Sequence, residues 1–269
     1  MKKGEMHFNW IFIMIVGAVF LAFFTGFAIK YKDLQERKTE ITMLNNINTA
    51  LTNLQSSSFV ISTRIDLPLD INIDCSNNGY SIFINEKNKA DVLIASKKNI
   101  KRSMHAWYQP YKIPFKITNF YYLTDDSPIN IATNNVNLVN SIKEEMPDDF
   151  KSKINVYNGN NFVVNGDLNK GTVTVDEKEV PYFGKEMLYA AVLSSNYSCF
   201  YNNIKNEINK AVSIHESKAR ILTKSGCNYN LILSKINLLS DINDLDYGIV
   251  KSIEDLNKNL ISINCAGLY

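Results

Sequence analysis

The sequence predicts an α+β protein, and three observations carry that prediction. Trp10 to Ile29 is a run of twenty residues without a charge; short β-branched and aromatic stretches punctuated by Pro and Asn-Gly occupy 58–175; from Lys185 onward apolar residues recur at helical spacing. The expected arrangement is an N-terminal transmembrane helix continuing as an amphipathic stalk, then an antiparallel β-rich ectodomain, then a C-terminal helical hairpin. The corresponding boundaries are a tail over 1–7, an anchor over 8–30, a stalk over 31–55, the β-rich domain over 56–184 and the hairpin region over 185–269.

As a helix, the uncharged run is long enough to cross a hydrocarbon core of about 30 Å. It exceeds the roughly 7–15 apolar residues of a cleaved secretory signal. The residues that follow, Lys30-Tyr31-Lys32-Asp33, offer no small-residue cleavage site, so a retained signal anchor is expected. Beyond it, Leu34, Ile41, Leu44, Ile47, Leu51 and Leu54 form one apolar stripe. A single helix is therefore expected from about Phe8 to Leu54, ended by Gln55-Ser56-Ser57-Ser58.

Ser58–Ile65, Leu69–Cys75 and Tyr80–Ile84 read as an antiparallel meander around Pro68 and Asn78-Gly79. Val92–Ala95 and Phe115–Leu123 are further strands, and Asn137–Met146 is a short helix stopped by Pro147. Ile154–Tyr157, Phe162–Val164 and Thr172–Val175 alternate around Asn158-Gly159 and Asn165-Gly166, residue pairs that accept positive φ and so signal hairpins. A helix from Lys185 through Leu193 is followed by the break Ser194–Ser198 and a long helix from Cys199 to Lys224, stopped by Ser225-Gly226. After Asn228, Leu238, Ile242, Leu245, Ile249, Ile253, Leu256, Leu260 and Ile263 step by three or four, nearly a heptad seam with Gly248 as its kink.

Composition is globular, with 45% hydrophobic and 21% charged residues. A net charge of +2 with Lys and Asp/Glu interspersed argues against a nucleic-acid partner. The four cysteines, Cys75, Cys199, Cys227 and Cys265, all follow the anchor and show no metal-type spacing, so two disulfides are expected if that side is oxidising. Three connectivities are open. A helical hairpin favours Cys199–Cys265, because it returns the chain end toward Cys199, and a straight helix separates Cys199 from Cys227.

Catalytic patterns are nearly absent. The chain lacks GxSxG, GxxxxGK[ST] and HExxH, and His215-Glu216 has no second histidine. Only His105 and Asp125-Asp126 speak for an anchored hydrolase. Asp167–Gly171 spaces oxygens as a calcium loop does, but Lys178 stands where the bidentate Glu belongs, so a hairpin turn is expected. Asp241–Asp246 fails in the same way at Leu245. No catalytic, cofactor-binding or metal-binding residue is expected.

Seven aromatics lie between Trp107 and Tyr122. Trp107, Tyr108, Tyr111 and Phe115 could form an interaction face for a sugar, a peptide or a neighbouring protein. The alternative is a proline-bent pair of strands with its rings in the core, the commoner outcome because apolar patches that large are rare on soluble surfaces. Asn196-Tyr197-Ser198 is the single glycosylation sequon and falls in a helix break.

Counting Lys and Arg alone, Lys2 and Lys3 precede the anchor and Lys30, Lys32, Arg37 and Lys38 follow it, which by itself places the large domain in the cytoplasm. Large domains, however, translocate largely regardless of charge, and cysteine usage points outward. The start Met1-Lys2-Lys3-Gly4-Glu5, followed at once by the apolar run, resembles the class III signal peptide of archaeal type IV prepilins. That resemblance covers about the first thirty residues and implies clipping at Gly4-Glu5, with the apolar segment retained. It departs from the pattern at Asn9, where pilins usually carry Glu, and at Glu5, where archaeal members often have Gln. The whole chain is similar to uncharacterised single-pass membrane proteins of small-genome archaea, which implies no activity. The reading is thus an anchored extracytoplasmic protein with a structural or interaction role at the cell envelope. Its expected partners are the lipid bilayer and other envelope proteins or copies of itself; a filament subunit and an anchored hydrolase are the alternatives.

Overall fold

A computed structural model describes residues 5–56, 62–76, 79–83, 87–90, 92–159, 162–175, 177–224, 226–242 and 245–269. The chain divides into two units, Met1–Asn48 and Thr49–Tyr269. In the first, the described residues belong to one helix, α1 (Glu5–Ser56), which is long and apolar enough to cross a membrane. Its large apolar side chains from Trp10 to Ile29 are exposed, Leu21 by 71%, apart from the half-buried Val16. Leu34 and Ile41 of the expected stripe are exposed as well. The last turns of α1 belong to the second unit, where Leu51 and Leu54 are buried and the Tyr121 hydroxyl donates to the Leu51 carbonyl at 3.4 Å.

The second unit continues with β1 (Thr63–Asp66), β2 (Ile71–Ser76), β3 (Gly79–Phe83), β4 (Lys87–Ala90), β5 (Leu93–Ser96), β6 (Asn99–Ile100), β7 (Ser103–Ile113), β8 (Phe115–Thr124) and β9 (Ile129–Thr133). Next come α2 (Val136–Glu144), α3 (Asp148–Lys151), β10 (Ile154–Asn158), β11 (Phe162–Gly166), β12 (Lys170–Val175) and β13 (Lys178–Phe183). The helices α4 (Lys185–Leu193), α5 (Tyr197–Thr223), α6 (Asn230–Ile236) and α7 (Tyr247–Ser262) finish the chain, with a 3-10 turn over Asn237–Ser240. Four sheets result, in the orders β1-β7-β8-β5, β4-β3-β2-β6, β10-β9 and β11-β12-β13.

The expected first meander is split between two sheets. β1 pairs antiparallel with β7, and β2 pairs with β3 and β6. Leu67 N still donates to Arg102 O at 2.7 Å, but Pro68 has no N–H to continue that ladder, so the chain leaves it and β2 joins another sheet. Ser57–Ile61, at the expected start of this region, lie outside the described residues. Asn158-Gly159 does not turn a hairpin either. β9 and β10 are parallel, joined through α2 and α3 as parallel strands must be by a crossover, and Gly159 N donates to Thr133 O at 3.0 Å to extend that pair. Asn165-Gly166 does close a hairpin. Gly166 has φ +127°, and a Cβ there would sit 2.3 Å from Lys170 O, so only glycine fits.

The core lies where β7 and β8 meet the C-terminal helices. Met187 through Leu193 of α4 are buried without interruption, the mark of a helix enclosed on all sides. The long seam expected from Leu238 to Ile263 is interrupted: Asp246 Oδ1 accepts from Ile249 N at 3.0 Å and starts α7 afresh. Its ends, Leu238 and Ile263, are exposed, and Leu239 is buried instead. Gly248 therefore lies in the first turn of a helix and is no mid-helix kink.

Candidate functional site

Three of the four aromatic residues considered as an interaction face are core residues. Trp107, Tyr111 and Phe115 are almost fully buried, and only Tyr108 keeps partial exposure. Trp107 meets Tyr122 across the strand pair at a ring distance of 4.7 Å and also packs on Tyr189 of α4 at 5.1 Å. Tyr111 stacks on Phe120 at 4.8 Å, and its hydroxyl donates to Phe183 O at 2.8 Å. The rings turn inward because β7 and β8 are covered by α4 and α5, and the hydroxyls of Tyr111, Tyr121 and Tyr122 each donate to a carbonyl. Burial accordingly pushes the Tyr111 and Tyr122 hydroxyls well above the usual phenol range.

The cysteines pair as Cys75–Cys199 and Cys227–Cys265, with Cα separations of 6.1 and 6.0 Å, which corrects the expected Cys199–Cys265. The added reversal between α6 and α7 is the reason. The chain passes three times, so the end of α7 returns to the end of α5, where Cys227 lies. Cys199, at the opposite end of α5, meets β2.

His105 and Asp126 do come together, with Ser103 as a third partner. Ser103 and His105 project from the same face of β7, being two residues apart. Asp126 follows β8 and receives both: Ser103 Oγ donates to Oδ2 at 2.5 Å, and His105 Nε2 lies 2.7 Å from Oδ1. Lys153 Nζ at 3.4 Å and Arg64 Nη2 at 3.5 Å complete its surroundings. The Ser103 hydroxyl, then the His105 ring, hold the Asp126 carboxyl well below the usual carboxylate range, with the two cations adding to this and partial desolvation opposing it. Nδ1 of His105 is buried and 3.8 Å from Asp149 Oδ2. Chemically this is an ion cluster and not a nucleophilic relay. The serine proton faces a carboxylate, whereas acyl transfer needs it on the imidazole.

A cleft of about 520 Å³ opens at the first turn of α5. Ile73 and Cys75 of β2 and Tyr80 of β3 wall one side. Ser195 N donates to Ser96 O at 2.9 Å, which ties the α4–α5 connection to β5. The sequon residue Asn196 is exposed and caps α5, Oδ1 accepting from Cys199 N at 3.0 Å. The sequence pointed at this place only through the Ser-Ser-Asn break; Tyr80, Lys98 and Lys178 come from strands and turns far apart in the chain and carried no signal. Asp167 holds its own turn, accepting from Asn169 N at 2.7 Å and Lys170 N at 3.1 Å. Of Asp241–Asp246, Asn243 and Asp244 lie outside the described residues, as does Gly4 of the expected processing site, while Glu5 opens α1. Among the described residues no cluster of His, Cys, Asp and Glu could hold a metal ion.

Fold and sites together define an α+β protein with a disulfide-bonded globular unit and an N-terminal helix long and apolar enough to span a membrane. Comparison with protein-family models, with curated proteins and with solved structures gave no match.

Proposed function

We propose that this is a single-pass, membrane-anchored extracytoplasmic protein that acts by structure or protein interaction at the cell envelope, without catalysis. One observation carries the reading: an exposed apolar span, Trp10 to Ile29, shares a chain with a globular unit whose four cysteines are all paired. The span calls for lipid as its solvent, and the disulfides call for an oxidising side of the membrane. Protease treatment of intact cells tests it. Digestion of the globular unit is the expected result, and its protection until the membrane is opened reverses the topology.

A second reading, a prepilin-like filament subunit that binds copies of itself, is favoured by the unbroken helix from Glu5 to Ser56. Mass spectrometry of the mature N-terminus separates the two. A chain beginning at Glu5 supports processing, and an intact Met1 on the membrane-bound form removes this reading while leaving the first untouched.

A further inference from the structure

The cleft at the start of α5 carries two lysine side chains and a buried tyrosine hydroxyl that make no ion pair or hydrogen bond among the described residues. Lys98, between β5 and β6, and Lys178, at the start of β13, both line it and are exposed; neither makes an ion pair among the described residues. Its floor is the first turn of a 27-residue helix. Asn196 caps the Cys199 amide there, and a helix start leaves further N–H groups pointing out of its end, where the dipole favours negative charge. Ser195 and Ser198 add hydroxyls at the same place, and Ser194, whose Oγ accepts from Asn196 N at 3.2 Å, adds a third.

Tyr80 is the independent observation. It is only 2% exposed, yet its hydroxyl has no partner, whereas buried hydroxyls are ordinarily paired. It stands directly opposite Cys75 in the β2–β3 register, so its side chain lies on the same sheet face as Cys75 and Ile73, the face that walls the cleft. The Cys75–Cys199 bond fixes that face to the first turn of α5, so donors from sheet and helix converge on one space.

We propose that this cleft binds a small polyhydroxy ligand bearing a phosphate group. The phosphate sits over the first turn of α5 with Lys98 and Lys178 as its counter-charges, the arrangement that helix starts and lysines share in phosphate recognition. The Tyr80 hydroxyl meets the carrier's oxygens by donating. The volume, about 520 Å³, is that of a small-molecule site. Such a phosphate has two sources, a soluble sugar phosphate or the headgroup of a membrane lipid. The inference is independent of which side of the membrane the globular unit occupies.

The test uses the full chain in nanodiscs of phosphatidylcholine, titrated calorimetrically with inorganic phosphate and with glycerol 3-phosphate. Saturable binding of glycerol 3-phosphate is expected, weakened by added salt. Lys98→Gln combined with Lys178→Gln is expected to weaken it by about tenfold or more, since both charge-assisted contacts are lost. Tyr80→Phe keeps the ring and the melting temperature and is expected to weaken binding by about threefold to tenfold. Replacing part of the nanodisc lipid with phosphatidylglycerol assigns the source: competition with the soluble probe identifies the headgroup, and unchanged binding identifies a soluble ligand. Absence of saturable binding to either probe, or equal affinity in the double lysine variant, overturns the proposal.

Discussion

Trp107 shows why a dense aromatic segment is hard to place from sequence. Strand β7 is buried on both faces over Ser103–Trp107, so inward and outward residues are alike and the two-residue alternation that would mark a face is missing. Trp107→Ala is expected to cost about 3–5 kcal/mol in denaturant unfolding, the range for deleting a buried ring. Tyr108→Ala, at a half-exposed site where the hydroxyl donates to Asn119 Oδ1, is expected to cost about 1 kcal/mol. Equal losses at the two positions would remove the distinction between core and surface drawn here. Asp126 gives a pH dependence of known sign. Its folded carboxyl is held below the unfolded value of about 3.9, so its stabilising contribution is complete above that value and is lost as pH falls toward the folded one. Asp126→Asn is therefore expected to be less stable than the parent at pH 7, by about 1 kcal/mol for a half-exposed carboxylate. The two proteins converge progressively as pH falls below about 3.9 toward the folded value, which a series of urea unfolding curves would show. His105 and Asp126 were each visible in the sequence; their meeting was not, because it depends on the register that sets His105 opposite Thr124.

At the scale of elements, the clearest lesson is the C-terminal helical region. The three- and four-residue steps run on past α6, because Leu239, Ile242 and Leu245 are buried with helical spacing although Asn237–Ser240 form a 3-10 turn and neither Ile242 nor Leu245 belongs to an α-helix. Periodicity reports which side is buried and is silent about a reversal in direction. Asp246 as a capping residue was the local signal of that reversal. The cysteine pairing follows from it, and peptide mapping without reduction is expected to recover Cys75 linked to Cys199 and Cys227 linked to Cys265. Replacing either pair by serine is expected to cost about 2–5 kcal/mol, with the pair that closes the longer loop, Cys75 and Cys199, at the upper end. Calorimetric melting of the two double variants compares them directly.

The molecule as a whole presents two kinds of surface. From Trp10 to Ile29 large apolar side chains face outward, whereas in the globular unit Trp107, Tyr111, Phe120, Tyr122, Phe150 and Phe200 are buried. Introducing Leu21→Arg together with Phe24→Arg separates the two. Each arginine near the centre of a spanning helix costs about 2.5–3.5 kcal/mol of insertion, so the variant is expected in the soluble fraction after alkaline extraction. Both positions are exposed, so the unfolding transition of the globular unit is expected to stay where it was. A variant that remains with the membrane, or one whose globular unit melts early, would contradict the assignment of the span to lipid.

By itself the sequence determined the kinds of element and several of their limits: the uncharged helix, the strands β1–β3, β5, β8 and β10–β12, the hairpin at Gly166, the short α4 and the long α5. Each is set by forces acting within a few residues, namely side-chain period, missing charge, caps and permitted φ. Tertiary structure alone decided that β1 leaves β2 for β7, that Cys75 finds Cys199 across 124 positions, and that Trp107 points inward. It also assembled the cleft at α5. Those outcomes depend on which distant surfaces are buried against one another, a competition among long-range contacts that local spacing does not encode.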